Sequence, residues 1–368
     1  DRHLRRVFET EYGVTPVAYA QTARLLLAKR LLTDTQMPVT DVALAAGFGS
    51  VRRFNTLFVA RYRLQPTALR RSGPLAASVD SHRFVLATRA PFDYPRLLGF
   101  FAARALAGVE QVDGRRLRRS LTVQGADGRP VSGWIEVRPS PRGAGIEARI
   151  DAGLRPAPPW VLAAATRACD LACQPDAVSA SLGALAAARP GLRLPGAFDG
   201  FETAVRTILG QQISVKAART LAGRLVETFG ARLATPFAGV TRLFPDPRRI
   251  AGCAHGDIAR LGVIAARAKA IVALAEAVAE GRIDLSPGVD VEGTVAALQD
   301  LPGIGAWTAQ AIAMRALHWP DAFPAGDVGI ARALGEHRPA RLARVAESWR
   351  PWRAYAVMHL WSSLETKS

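Results

Sequence analysis

The sequence predicts a mainly α-helical protein that contains one α+β subdomain. Alanine, leucine and arginine, which favour helices, are abundant throughout the 368 residues. Strand-like runs are confined to a stretch that begins near Phe84 and ends near Asp151. From about Ala180 to the end, nearly every segment has a helical pattern that proline and glycine interrupt. A chain of this length is expected to form two or three domains, each with its own core.

Composition and charge restrict the class of function. A hydrophobic content of 49% and a charged content of 21% predict a soluble, globular protein. No apolar run reaches the roughly 18 residues needed to span a bilayer, so we expect no membrane partner. The formal net charge is +17, and such an excess indicates an acidic partner, most often nucleic acid. A GC-rich genome would account for the many arginines but not for the shortage of acidic residues.

The three cysteines favour packing over chemistry. Cys169 and Cys173 lie one helical turn apart in an apolar run, without the other ligands of a zinc site nearby. The three cysteines are odd in number and have no spacing pattern, which suits a reducing compartment. We therefore expect a cytoplasmic protein.

Residues 1–71 contain an internal repeat with an offset of about 50 residues. DRHLRRVFETEYGVTP, which starts at Asp1, aligns with VRRFNTLFVARYRLQP, which starts at Val51. The matching pairs are Arg2/Arg52, Phe8/Phe58, Tyr12/Tyr62 and Pro16/Pro66. The repeat indicates two copies of one supersecondary unit, with one long helix, Val17–Leu32, between them.

The second copy predicts a helix-turn-helix. A short helix begins at Asp41, Gly47 forms the turn, and Ser50 caps the second helix. This helix is expected to bury Phe54, Leu57 and Phe58. Its outer face is expected to bring three side chains to base edges in the major groove: Arg52, Arg53 and Asn55. A helical bundle with a solvated basic face is the alternative.

This region resembles the AraC-type DNA-binding domain, in which a linker helix joins two helix-turn-helix units. The resemblance covers residues 1–71 and implies a truncated first unit that begins at its recognition helix. It therefore implies a longer natural protein, and weak or no specific operator binding by this chain. We expect a linker at residues 72–80.

Residues 81–180 are predicted to form the α+β subdomain, built on an antiparallel sheet. Strands are expected at Phe84–Thr88, Ser120–Val123, Gly133–Arg138 and Ile146–Asp151. Helices are expected at Pro95–Leu106 and Pro159–Ala172. The basic cluster RRLRRS, residues 115–120, is expected to be a solvated strand edge. Residues 181–368 are predicted to be helical.

The stretch LPGIGAWTAQAIA, residues 301–313, predicts a DNA-binding hairpin between two helices. Pro302 and Gly303 end the first helix, and Gly305 permits a tight turn into the second. The glycines let a phosphate approach bare amides at the helix N-terminus, where Thr308 adds a hydroxyl. The alternative is a tight turn inside a helical bundle.

Asp327 is the candidate catalytic residue. It lies 22 residues beyond Gly305, after Pro324 and Gly326 in DAFPAGDVGI. This constrained turn before a new helix also suits an N-cap, which is the favoured interpretation of the residue taken alone. With the hairpin upstream, however, the order resembles that of the helix-hairpin-helix DNA glycosylase superfamily, in which the aspartate is catalytic.

From about Phe84 to Trp361 the chain resembles the AlkA-type 3-methyladenine DNA glycosylase II. The segments that carry the resemblance are LLGFFAARAL, ARPGLRLPGAFDGFETAVRTILGQQISV, LPGIGAWTA and PWRAYAVMHLW. Together with the AraC-type region, the chain resembles Ada–AlkA fusion proteins. Those fusions usually begin with a zinc-binding methyl-acceptor domain. We therefore expect zinc only in such an upstream domain and no required cofactor in this chain.

The resemblance implies a pocket and a mechanism. Trp307, Trp361 and Phe100 are implied to hold a cationic alkylated base by cation–π attraction. Ala311 stands where the family has a tyrosine, so we expect a roomier pocket. Members that also cleave the strand carry a lysine at the Trp307 position, which forms a Schiff base. Trp307 therefore implies a monofunctional enzyme. Asp327 is implied to stabilise an oxocarbenium-like transition state.

The resemblance also implies contacts with double-stranded DNA that carries alkylated bases. Gln212, with Ile213 beside it, matches the apolar side chain that fills the gap left by the flipped nucleotide. Main-chain carbonyls near Leu301 and Ile304 are a candidate site for a monovalent cation. We expect a monomer whose DNA affinity falls with salt.

Two other functions remain open. One is a transcription regulator of the alkylation response whose glycosylase-like part is inactive. The other is a nonspecific helix-hairpin-helix DNA-binding protein, which leaves the placement of Asp327 and Trp307 unexplained. The presence of both residues with the hairpin favours the enzyme.

Overall fold

The computed structural model describes residues 2–34, 37–69, 81–125, 128–141, 143 and 145–365. Helices dominate these residues, and the extended segments form one sheet, so the predicted fold class is confirmed. The expected linker at residues 72–80 lies outside the described residues, and the predicted domain boundaries remain predictions. No helix in the described ranges is long and apolar enough to cross a bilayer.

The helices are numbered in chain order. The first four are α1 (Arg2–Tyr12), α2 (Pro16–Asp34), α3 (Val39–Ala45) and α4 (Val51–Tyr62). The next seven are α5 (Tyr94–Arg104), α6 (Pro158–Ala168), α7 (Pro175–Leu182), α8 (Ala184–Ala187), α9 (Gly200–Leu209), α10 (Val215–Phe229) and α11 (Pro247–Ala251). The last seven are α12 (His255–Ala259), α13 (Ala265–Ala279), α14 (Val291–Gln299), α15 (Ala306–Arg315), α16 (Val328–Leu334), α17 (Pro339–Ala346) and α18 (Arg353–Glu365).

The contacts between Cα atoms divide the chain into two compact units. The first contains Asp1–Phe84, Thr122–Gly133 and Arg149–Ala163. The second contains Val85–Leu121, Trp134–Ala148 and Ala164–Ser368. The helix-turn-helix region lies in the first unit, and the hairpin with Asp327 lies in the second.

Helices α3 and α4 form the predicted helix-turn-helix. Gly47 has φ +81° in the turn, and the Ser50 side chain accepts a hydrogen bond from the Arg53 amide at the start of α4. Phe54 and Phe58 are fully buried. The internal repeat is visible as a repeated ring pair, because Phe8–Tyr12 and Phe58–Tyr62 have centroid distances of 4.5 and 4.7 Å.

One residue of the predicted DNA-reading face is placed differently. Arg52 and Arg53 are exposed, as expected. Asn55 is half-buried, and its Oδ1 atom is enclosed without a hydrogen-bond partner among the described residues. Asn55 therefore lies at the side of α4 rather than on its open face, because a step of one residue from Phe54 turns it only partly away from the core.

The sheet has five antiparallel strands in the order β1-β5-β4-β3-β2. They are β1 (Ser81–Ala87), β2 (Glu110–Asp113), β3 (Arg116–Gln124), β4 (Pro130–Pro139) and β5 (Gly145–Asp151). The four predicted strands are present, but the edge strand β2 is not among the predictions. Its sequence, EQVD, is short and polar, although the Asp113-Gly114 pair that follows is a typical hairpin turn.

The prediction of a solvated basic edge at residues 115–120 is wrong, because β3 lies between β4 and β2 in the sheet and Leu117, Arg119 and Ser120 are buried. The register of β2 and β3 pairs Arg119 with Glu110, and Arg119 is only 3% exposed. The guanidinium lies inside the second unit, where carboxylates surround it. The expected packing role of Cys169 and Cys173 agrees with their burial.

The helices of the second unit enclose a large apolar core. Helix α13 contributes residues that are fully buried, among them Ala268, Ile271, Leu274 and Ala275. Helices α9, α14 and α15 pack around this core, and Ile304 of the hairpin is buried against it. The core therefore fixes the positions of the hairpin and of the first turn of α15.

Candidate active site

Asp327 is held by three hydrogen-bond donors. Its Oδ1 accepts from the amide of Ile330 at 2.9 Å, which makes Asp327 the N-cap of α16. Oδ1 also accepts from the indole Nε1 of Trp361 at 2.9 Å, and Oδ2 accepts from Nε1 of Trp307 at 3.2 Å. The two interpretations of Asp327 are therefore compatible, because one carboxylate both caps a helix and joins two of the predicted pocket residues.

The predicted pocket residues lie together. Trp307, Trp361, Phe100 and Ala311 all line one cavity of about 210 Å³. Trp307 and Ala311 are one turn apart on the same face of α15. The structure thus brings together residues from α5, α15 and α18 that are far apart in the sequence.

Gly329 is a site residue that was not predicted from the sequence. A Cβ atom at this position would lie 3.0 Å from Asp327 Oδ1, 3.0 Å from Trp361 Cδ1 and 3.1 Å from Trp361 Nε1. Only glycine therefore lets the indole of Trp361 reach the carboxylate. The GDVGI stretch gave a local signal of this, since a glycine inside the first turn of a helix has a helix-propensity cost.

Two guanidinium groups lie against the aromatic ring of Phe100. The Cζ atom of Arg104 lies 3.8 Å from the ring centroid, and that of Arg315 lies 4.4 Å from it. The ring is in the cavity lining, where it was expected, but protein cations already use its π electrons. The two tryptophans are consequently the aromatic groups better placed to attract a cationic base.

Four charged side chains, three of them buried and one half-buried, form an ionic quartet in the cavity lining. Arg119 pairs with Glu110 at 2.8 Å and with Glu202 at 2.6 Å. Arg206 pairs with Glu110 at 3.0 Å and with Glu202 at 2.8 Å. Burial opposes the charge on Glu202, but the two arginines outweigh it and lower the pKa of this carboxyl. The quartet was not predicted from the sequence, because Glu202 and Arg206 have the i, i+4 spacing of a helical ion pair but no local pattern brings them to Glu110 and Arg119.

The hairpin between α14 and α15 differs from the prediction in the roles of its glycines. Gly303 has φ +79°, so its left-handed conformation forms the tight turn that was expected at Gly305. Gly305 is the extended N-cap of α15, with φ −84° and ψ 178° and no capping side chain. A Cβ atom at Gly305 would have nothing within 4 Å, so this side of the helix N-terminus is open.

Thr308 is not open to a phosphate, which corrects its predicted role. The residue is only 3% exposed, and its Oγ1 accepts from Nε2 of Gln211 at 2.9 Å. The same Nε2 donates to the carbonyl of Gly303 at 3.0 Å. Thr308 and Gly303 therefore fix Gln211, and through it the loop between α9 and α10.

Gln212 and Ile213, the predicted DNA contacts in that loop, point to different surroundings. Gln212 is exposed and has φ +53°, a left-handed conformation that is unusual for a residue with a side chain. Ile213 lines the cavity instead of the outer surface. Gln212 thus stays a candidate for DNA contact, whereas Ile213 belongs to the pocket.

The candidate cation site consists of main-chain atoms only. The carbonyl of Leu301 accepts from the amide of Ile304 at 3.2 Å, which leaves the second lone pair of this carbonyl for a cation. Within the described ranges, no group of three or more His, Cys, Asp or Glu side chains could hold a metal ion.

Three family models match the chain. A helix-turn-helix domain matches residues 1–72, the AlkA N-terminal domain matches residues 83–199, and the HhH-GPD superfamily base excision DNA repair protein matches residues 205–347. The last match contains the hairpin, Trp307 and Asp327.

Relatives extend over the whole chain. A protein of Mycobacterium tuberculosis named "Probable bifunctional transcriptional activator/DNA repair enzyme AlkA" is 36% identical, over 99% of this chain and 74% of its own length. The "DNA-3-methyladenine glycosylase 2" of Escherichia coli is 39% identical, over 76% of this chain and 96% of its own length.

A solved structure has the same fold. The 3-methyladenine DNA glycosylase from Archaeoglobus fulgidus superimposes with a TM-score of 0.61 at 21% identity, over 76% of this chain and 97% of that one. The chain belongs to the AlkA family of helix-hairpin-helix base excision DNA repair glycosylases, joined to an AraC-type helix-turn-helix domain.

Proposed function

We propose that this protein is a monofunctional DNA glycosylase that hydrolyses the bond between an alkylated base and its sugar in double-stranded DNA. The observation that carries the proposal is the bonding of Asp327 to two tryptophans that line a cavity. Alkylated purines of the 3-methyladenine and 7-methylguanine type carry a positive charge and leave readily. The enzyme needs only to extrude the base, hold it, and stabilise the sugar cation.

The residues divide this work. Extrusion costs a few kcal/mol of unstacking, and a damaged base reduces this cost. The indoles of Trp307 and Trp361 attract the cationic base, each by about 0.5–2 kcal/mol. Their N–H groups hold Asp327 in place, so that its negative charge faces the sugar as positive charge develops there.

The chemistry ends with an abasic site on an intact strand. Cleavage of the strand by a glycosylase of this superfamily requires an amine that forms a Schiff base with the sugar. Trp307 stands at the position of that amine, and the cavity lining contains no lysine among the described residues.

The DNA interface consists of the open helix N-terminus at Gly305 and the exposed loop residue Gln212. Amides at the start of α15 bind a backbone phosphate, while Gln212 occupies the gap in the duplex. A monovalent cation on the Leu301 carbonyl would add positive charge at the same turn. The enzyme works as a cytoplasmic monomer and needs no other cofactor.

Base release from alkylated duplex DNA tests the proposal. Wild type should release methylated bases and leave strands that break only when heated in alkali. Asp327→Asn should lower the release rate by orders of magnitude while DNA affinity stays within a few-fold, because asparagine also caps helices. Asp290→Asn is the matched control, since Asp290 caps α14 through the amide of Gly293 and is not among the residues that line the cavity.

The transcription-regulator alternative gives a different result. The helix-turn-helix match over residues 1–72 favours a regulatory role. If neither wild type nor Asp327→Asn releases a base while both bind DNA, the catalytic proposal is wrong and the regulator remains. Strand cleavage without alkali would contradict the role assigned to Trp307.

A further inference from the structure

One face of α15 carries a third residue into the cavity. Trp307, Ala311 and Arg315 follow one another at intervals of four residues, so they lie on the same side of the helix, and all three line the cavity. Because Ala311 ends at its Cβ atom, no longer side chain of α15 lies between the indole of Trp307 and the guanidinium of Arg315.

The guanidinium of Arg315 is held in place, but not all of its hydrogen-bond donors have an acceptor. Its Nε donates to the carbonyl of Pro195, and its Cζ lies 4.4 Å above the ring of Phe100. These two contacts set the plane of the guanidinium. The two Nη atoms have no hydrogen-bond partner in the part of the chain that the structure describes. An arginine side chain presents its donors in a rigid planar fork, so the Nη donors have a defined direction.

The carboxylates near Arg315 already form ion pairs with other arginines. Glu110 and Glu202 each pair with Arg119 and Arg206 within the ionic quartet, and no described residue forms an ion pair with Arg315. Burial and the neighbouring Arg104 and Arg206 lower the pKa of Arg315 to about 9, so the group is still charged near neutral pH. A partly desolvated guanidinium of this kind lacks an acceptor until a ligand supplies one.

We propose that Arg315 is a specificity-determining residue that donates a hydrogen bond to a carbonyl oxygen on the extruded base. The inference rests on the proposed function and adds to it a preference for lesions of the oxopurine class. Guanine-type bases carry a carbonyl oxygen at the position where adenine-type bases carry an amino group. The carbonyl accepts from the guanidinium, whereas the amino group is a donor and leaves Arg315 unpaired.

A comparison of 7-methylguanine with 3-methyladenine isolates this hydrogen bond. Both bases are cationic in DNA, so repulsion by Arg315 and Arg104 affects both. A single sample of DNA methylated by a simple alkylating agent contains both lesions. The two released bases can be separated by chromatography after single-turnover reactions with excess enzyme, and the ratio of their rates is the quantity of interest.

Arg315→Met keeps the aliphatic stem and removes the donors. We expect this variant to lower release of 7-methylguanine relative to 3-methyladenine by roughly 10- to 100-fold, the effect of one lost hydrogen bond from a charged group. Arg315→Lys should restore part of the ratio, because an ammonium donates without the planar fork. Arg219→Met is the matched control, since Arg219 also lines the cavity but comes from α10. It should change both rates by the same factor.

The ratio makes the test independent of folding. A variant that merely unfolds loses both activities in parallel, and a parallel loss in Arg315→Met with wild-type recovery in Arg315→Lys would overturn the specificity role. An unchanged ratio with active enzyme would do the same. If wild type releases neither base, the proposed function itself fails, and that result is seen before any variant is compared.

Discussion

The carboxylate of Asp327 has a role in both the fold and the proposed chemistry. One oxygen caps α16, and both oxygens accept from indoles that face the cavity. A side chain held by three donors keeps a single rotamer, so its charge needs no reorganisation when a sugar cation forms. The missing Cβ atom of Gly329 permits this arrangement, because it lets Trp361 approach.

Gly329→Ala should therefore impair activity more than stability. The added methyl group would have to displace Trp361 or Asp327, each about 3 Å from it. Misplacement of a catalytic group by about 1 Å can cost on the order of a hundredfold in rate. We expect single-turnover base release to fall by at least about tenfold, while the thermal unfolding temperature changes by only a few degrees.

A matched glycine controls for the substitution itself. Gly223 lies inside α10, and a Cβ atom there would have nothing within 4 Å. Gly223→Ala should leave base release unchanged and stabilise the protein by about 0.5–1 kcal/mol. Wild-type activity in Gly329→Ala would show that the contact between Trp361 and Asp327 does not matter for the reaction.

The two glycines of the hairpin between α14 and α15 have separate functions. Gly303 forms the turn and lies against α13, since a Cβ atom there would be 3.1 Å from Cβ of Ala270. Gly305 exposes the first amides of α15. Gln211 joins this turn to the loop that carries Gln212, so the two parts of the proposed DNA interface are held together.

Substitution of the two glycines should separate stability from DNA binding. Gly303→Ala forces a side chain into a left-handed conformation, which costs about 1–2 kcal/mol, and it crowds Ala270. Gly305→Ala meets neither problem, but its methyl group lies where a phosphate would approach. We expect urea unfolding to detect the first variant, and fluorescence anisotropy with a duplex to detect weaker binding by the second.

Equal DNA affinity of Gly305→Ala and wild type would place the phosphate elsewhere. A stable Gly303→Ala protein with reduced affinity would assign the phosphate contact to the turn itself.

At the scale of the whole molecule, acid should weaken the fold of the second unit. Burial, with Arg189 and Arg96 nearby, lowers the pKa of His359 on α18 to about 4, against 6.5 for an ordinary histidine. Between these two pH values, the imidazole of His359 is therefore protonated in the unfolded chain and neutral in the folded chain. Stability from this group is complete above pH 6.5 and declines as the pH falls towards 4.

His359→Gln should remove this pH dependence. Between about pH 7 and pH 5, wild type should lose about 2 kcal/mol more of unfolding free energy than the variant does. Urea unfolding at the two pH values measures the difference. His337→Gln, at an exposed histidine, is the control and should behave like wild type. An identical loss in all three proteins would mean that His359 is not the group that titrates.

The helical character, the helix-turn-helix and the hairpin could be predicted from the sequence alone. These features depend on local signals: the spacing of apolar residues, glycine and proline at turns, and a capping residue before a helix. Each can be recognised within a few consecutive residues, which is why the cap of α4 at Ser50 and the hairpin between α14 and α15 were predicted where they are observed. The edge strand β2 was missed because its four residues carry no apolar alternation.

The environments of the polar side chains became clear only from the packing of the folded chain. Arg119 was expected in solvent but is buried against Glu202, a residue 83 positions away. Thr308 was expected to contact a phosphate but binds Gln211, and Arg315 was not singled out at all. The physical reason is desolvation: whether a charged or polar group is costly, paired or ready for a ligand depends on neighbours that packing brings from distant parts of the chain.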